Sequence, residues 1–204
     1  SEVKDSKDTY IVSANLGFPM LLGENLRYRY STAPSFGLKL TTPFSFEFMN
    51  NDITVSASIT KNFLSRDAST NIPKFNPMNI GAVFSVDMPD MPMFNFMLGG
   101  GISMASGWSY ESPLNDYSMS TLYMTMAVSY ATSFESLLEI IAPLSSLRNN
   151  EKLSDSEISM SFSSTTIFGS PDRTGDISEW FSIGCSLSYP IDPLIHQLKS
   201  IIES

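Results

Sequence analysis

The stretch 36–61, FGLKLTTPFSFEFMNNDITVSASITK, constrains the fold more than any other part of the chain. Up to Phe48 the even positions Phe36, Leu38, Leu40, Phe44, Phe46 and Phe48 are apolar, with Thr42 the exception. The odd positions Lys39, Thr41, Ser45 and Glu47 are polar. After Asn50 and Asn51 the phase flips, and Ile53, Val55, Ala57 and Ile59 alternate with Thr54, Ser56, Ser58 and Thr60. A period of two marks strands with two chemically distinct faces. With the two Asn as a type I′ turn, Phe48 falls opposite Ile53, Phe46 opposite Val55 and Phe44 opposite Ala57. The apolar side chains then share one face of the hairpin and the hydroxyls share the other.

The same rhythm runs through most of the chain. Tyr10 to Phe18 alternates, and so do Leu26, Tyr28 and Tyr30 around Arg27 and Arg29. Further alternating runs are Ile80–Met88, Phe94–Met104, Leu122–Tyr130, Ile158–Phe168 and Phe181–Tyr189. About nine strands result, most of them separated by turn signals. Residues 62–78 and 105–118 read as long loops, and Pro89 and Pro92 confine DMPDMPM to a turn. The period changes only twice. Phe134, Leu137, Leu138, Ile141 and Leu144 predict an inserted helix over about 133–147. Asp192 and Pro193 start a short C-terminal amphipathic helix over about 193–203, with Leu194, Ile195, Leu198, Ile201 and Ile202 on one face. The predicted fold is all-β: an antiparallel up-and-down meander closing into a barrel of about 8–10 strands with two appended helices. The division is a flexible N-terminus (1–8), a β-barrel domain (9–189) and a C-terminal helix (190–204).

Composition bears on the surroundings of these strands. Charged residues are 16% of the chain, against roughly 25% in ordinary soluble domains. Ser, Thr, Asn and Met take their place. A net charge of −9, with 12 scattered basic residues, excludes a nucleic-acid stripe and argues against electrostatic docking on anionic lipid. The lone Cys185 rules out an intramolecular disulfide framework and any Cys-based zinc site, and its place in an apolar row reads as a small buried hydrophobe. No apolar run reaches the length of a transmembrane helix.

Alternation alone leaves open which face is outside. A soluble barrel turns its apolar face inward, whereas a membrane barrel turns it toward lipid. The charge-poor Ser/Thr face favours the second arrangement, as do the large Phe, Met, Leu and Ile of the other face. Segments such as FSFEFMNNDITVSASIT, TLYMTMAVSYATSF and WFSIGCSLSY resemble the strands of bacterial outer-membrane β-barrel proteins as an architectural class. That resemblance implies a cell outer-membrane protein in contact with lipid, with a structural or small-solute or lipid transport role. The alternative is a soluble secreted or periplasmic β-barrel or sandwich that binds an apolar ligand or a protein partner, as a subunit of an assembly or a homo-oligomer.

Chemistry-bearing constellations are sparse. His196 stands alone on the terminal helix pattern without a nucleophile-elbow motif, and the carboxylate pairs Asp87/Asp90 and Asp172/Asp176 flank turns. Neither a catalytic centre nor a cofactor or metal site is expected, and the chain does not read as an enzyme. The candidate functional residues are the loop aromatics Trp108, Tyr110 and Tyr117. The charges Arg27, Arg29, Lys39, Glu47 and Lys61 are candidates for a barrel interior, where they would need partners.

Overall fold

The structure is a computed structural model that describes residues 9–22, 24–27, 30–49, 51–66, 75–88, 91–108, 116–133, 156–169 and 177–191. Its elements, in chain order, are β1 (Ile11–Leu22), α1 (Glu24–Arg27), β2 (Tyr30–Thr32), β3 (Ser35–Phe48), β4 (Asn51–Lys61), β5 (Leu64–Arg66) and β6 (Met78–Met88). There follow β7 (Met91–Trp108), β8 (Asp116–Ser133), β9 (Glu157–Ile167) and β10 (Ser178–Pro190). Eight of the strands close into one antiparallel barrel in the order β1-β10-β9-β8-β7-β6-β4-β3. The predicted helix over about 133–147 starts on Ser133, which is instead the last residue of β8, and the rest of it, the predicted helix over 193–203 and residues 1–8 lie outside the described residues.

The wall can be followed strand by strand through its register. From Ile158 of β9, successive partners are Leu187, Ala14, Leu38, Ile59, Ile80, Ile102 and Leu122. The circuit then returns at Phe168, whose amide donates to the Leu122 carbonyl. It closes ten residues beyond its start, so the eight strands carry a stagger of ten residues. Such a shear tilts strands by roughly 40° to the barrel axis. Every residue on the circuit is apolar.

Two sequence expectations are corrected. First, Leu26, Arg27 and Tyr30 do not belong to a barrel strand. Leu26 and Arg27 sit in the helical turn α1, and Tyr30 opens β2, which pairs with β5 in a separate two-stranded sheet. Without that strand the barrel count becomes eight, and residues expected to be an unstructured loop supply β5. Second, the β3–β4 turn lies one residue earlier than expected. Phe48 pairs with Asn51 and Phe46 with Ile53, while Met49, at φ 52°, takes the positive-φ position. Further along, Leu40 rather than Phe44 faces Ala57. Between Thr41 and Ser45 the register shifts around Pro43, which has no amide to give the ladder. The Thr42 hydroxyl donates to the Val55 carbonyl across this bulge (2.8 Å). Each shift moves the pairing by an even number of residues, so both faces keep their predicted chemistry.

The connections are distributed unevenly between the two ends. The chain enters β1 and leaves β10 at one end, where β3 also gives way to β4, β6 stops at Met88 and β8 stops at Ser133. At the opposite end β1 stops at Leu22, β4 at Lys61, β7 at Trp108 and β9 at Ile167. There β7 and β8 reach furthest, pairing as far as Trp108 with Asp116.

Candidate functional site

The outward face is the largest chemically distinctive surface of the barrel. Phe36, Leu38, Ile80, Leu98, Leu122, Met126, Phe162 and Ile183 are all exposed, and Leu122 keeps 63% of its surface open. Neighbouring outward aromatics touch across strands: Phe94 with Tyr130 at 5.3 Å between ring centres, and Phe162 stacked on Phe181 at 5.4 Å. A soluble domain rarely leaves an apolar patch of this extent uncovered. Cys185, expected to be a buried small hydrophobe, is instead exposed in this face, because its row points outward.

The inward face is small and polar. The circuit adjoining the apolar one runs Ser159, Ser186, Asn15, Gly37, Thr60, Asn79, Ser103 and Thr121. Hydroxyls bond to one another along it and beside it, as in Ser159 with Ser186 (2.6 Å), Ser13 with Ser188 (2.8 Å) and Ser56 with Thr41 (3.0 Å). These short chains leave a cavity of about 180 Å³, lined among others by Lys39, Ser58, Asn79, Tyr123, Thr125 and Ser159. Asn79 Oδ1 and Ser103 Oγ, register partners on β6 and β7, find no protein partner. Asn79 lines this cavity, where a water can satisfy its Oδ1.

At the end opposite the chain termini the lumen meets an apolar cap. Leu26 and Tyr30 from the β1–β3 connection pack with Leu64 and Phe75 from the β4–β6 connection, and with Ala105, Tyr123, Ile167 and Trp180 from the wall. Phe75 and Ile167 are fully buried, and the Tyr30 and Phe75 rings lie 6.1 Å apart. The β2–β5 sheet continues the β3–β4 ribbon beyond Pro34, joined by the Ala33 amide donating to the Phe63 carbonyl. The ribbon thereby carries its side chains over the barrel mouth. A sequence signal for this cap existed in Tyr123 and Trp180, two large aromatics that interrupt the small-residue face at the same end.

The candidate charges scatter. Lys39 lies on the lumen register opposite Ser13 and Ser58, with its ammonium 3.9 Å from Met97 Sδ. It attracts Glu157, which Asp87 repels, and both carboxylates are exposed. Lys61 falls on the outward register between Phe36 and Met78, and its Nζ donates to the Asn76 carbonyl at 2.8 Å, so it is a rim residue rather than an interior one. Glu47 is exposed near the hairpin tip, directly opposite Asp52, and Arg27 is exposed on α1. Arg29 and Tyr110 lie outside the described residues. Trp108 pairs with Asp116 and Tyr117 with Gly107, which places both backbones on the projecting β7–β8 hairpin. Among the described residues, no group of three or more His, Cys, Asp or Glu is placed to hold a metal ion.

No protein-family model and no curated protein matches the chain. Among solved structures it is similar to Neisserial surface protein A (NspA), at 13% identity over 88% of this chain and 96% of that one, with a TM-score of 0.49. It is similar as well to Ail, the attachment invasion locus protein of Yersinia pestis, at 13% identity, coverage of 89% and 97%, and a TM-score of 0.43. A third similar structure is the outer membrane enzyme PagL, at 12% identity, coverage of 86% and 97%, and a TM-score of 0.44. The likeness is one of fold.

Proposed function

We propose that the chain is an outer-membrane β-barrel protein with a structural role, held by its apolar belt in membrane lipid. The observation that carries this reading is the polarity of the closed wall: Ile158 through Phe168 form an apolar circuit facing outward, and the next circuit inward is Ser, Asn, Gly and Thr. Lipid is the solvent that accepts such an exterior, and barrel closure leaves the ladder no open edge within it. In the usual orientation of this class the short turns and the termini face the periplasm. The β2–β5 sheet and the projecting end of the β7–β8 hairpin, with Trp108 and Tyr117, then face outward, where they are the surface for contact with other molecules. The apolar cap favours a scaffold over a conduit for small solutes, because Trp180, Phe75 and Ile167 occupy the space a solute would cross.

Two measurements test this. The protein should stay with membranes through an alkaline carbonate wash and leave only with detergent; recovery in the aqueous phase would sink the membrane reading. Purified protein in a planar bilayer should give no conductance steps, and steady ion conduction would assign it a transport role instead.

A further inference from the structure

The β3–β4 hairpin does not end where the barrel wall ends. β3 pairs with β1 only as far as Thr41 opposite Ile11, and β4 pairs with β6 only from Ile53 opposite Val86. Residues 42–48 and 51–52 therefore run past the last wall pairs as an overhang at the end where β1 begins and β10 ends, with Phe46 still packed on Phe84 of β6 (ring centres 6.5 Å apart). On the outward side of this overhang are Phe44 (69% exposed), Phe46 and Phe48, and the turn residue Met49 is 80% exposed. They continue the row of Phe36, Leu38 and Leu40, and the start of β7 adds the exposed Met91, the partner of Met88. Ser45, Glu47, Asp52 and Thr54 occupy the opposite register.

We propose that this overhang is a lipid-inserting flap, seated at the headgroup level of a zwitterionic phospholipid leaflet with its Phe and Met side chains dipping into the acyl chains. The inference rests on the membrane reading above and adds a second contact to it. Continuity decides the occupant, since the flap's apolar row is the belt's own row prolonged past the rim. The free edge of residues 42–48 suits strand docking poorly, because Pro43 withholds an amide and the bulge disrupts the ladder. That same edge keeps the backbone out of the hydrocarbon, where unpaired amides and carbonyls are costly, and so sets the depth at the interface. Glu47 and Asp52 on the other face disfavour an anionic leaflet and suit a zwitterionic one.

Site-directed spin labelling in phosphatidylcholine vesicles tests the flap and keeps it separate from the barrel. A nitroxide on the native Cys185 serves as the belt standard. Cys185→Ala combined with Phe48→Cys, or with Phe44→Cys, reports the flap; both positions are exposed, so neither substitution removes a core side chain. The expected result is stronger relaxation by oxygen than by a polar nickel chelate at 44, 48 and 185, with 48 shallower than 185. Nickel preference at 48 alongside oxygen preference at 185 would overturn the flap while leaving the barrel in its membrane. Nickel preference at 185 would overturn the membrane reading and the flap with it. Spin–spin broadening at 48 that vanishes on dilution with unlabelled protein would give the face to a second copy of the chain, and that too overturns the inference.

Discussion

Gly81 and Tyr123 face the same small volume of the lumen from strands two apart in the wall: a methyl group added to Gly81 would lie 2.7 Å from the Tyr123 hydroxyl. Gly81 is paired with Gly101, and Gly101 is paired in turn with Tyr123. The tyrosine ring covers wall that carries no side chains of its own and reaches on to hydrogen-bond Ser58. A large aromatic laid over glycines is a known way to close a curved sheet tightly. Tyr123 also belongs to the apolar cap, so one residue joins the cap to the polar lumen.

Gly81→Ala should therefore destabilise the barrel by about 1–3 kcal/mol, the usual range for overpacking. The sign is informative because alanine is ordinarily the better strand residue. Urea unfolding in lipid vesicles measures it, and an unchanged midpoint would show that the Gly100 backbone and Tyr123 can yield.

Leu98 is exposed on the outward face of β7. Leu98→Arg should cost about 2–4 kcal/mol in vesicles if that face meets the bilayer interior. A soluble surface would tolerate the same change within about ±0.5 kcal/mol. The same unfolding assay separates the two outcomes.

Cys185 gives an independent reading without any mutation. In sealed proteoliposomes it should react with a membrane-permeant maleimide and resist a sulfonated one, and detergent-free unfolding in urea should remove the difference. Fast reaction of the folded protein with the sulfonated reagent would place β10 in water.

Ser56 is almost fully buried inside the wall, bonded to Thr41 and paired with Val83. Ser56→Leu should cost about 1–3 kcal/mol, because the hydroxyl-sized space has no room for three more carbons. A near-neutral result would mean the lumen is looser than the register implies.

Much of the fold was legible in the sequence because a barrel strand repeats one simple pattern. Six of the eight wall strands follow alternating runs directly, and β3 and β4 are the two halves of the opening stretch. Residues 26–30 misled because Leu26 and Tyr30 alternate with arginines as a strand would. Their apolar side chains in fact serve the cap, an end-on contact that no local period records. The hairpin register misled for a different reason. A two-residue Asn turn is the best local solution, but Pro43 forces a bulge, and the neighbouring strands fix the ladder below it. Lys39 and Lys61 are both odd-numbered, but the phase flip between β3 and β4 puts the first in the lumen row and the second in the outward row at the rim.

By itself the sequence determined the two faces, since side-chain alternation is a local property that survives any even shift of register. Tertiary structure decided the rest. Closure with a stagger of ten residues made the apolar face convex and outward, because a narrow eight-stranded cylinder has interior volume only for Ser, Thr, Gly and Asn and a few larger groups. It also decided that the β3–β4 ribbon bends inward at one end as a cap and runs past the rim at the other. Both depend on where neighbouring strands stop, and that is set by contacts far apart in the chain.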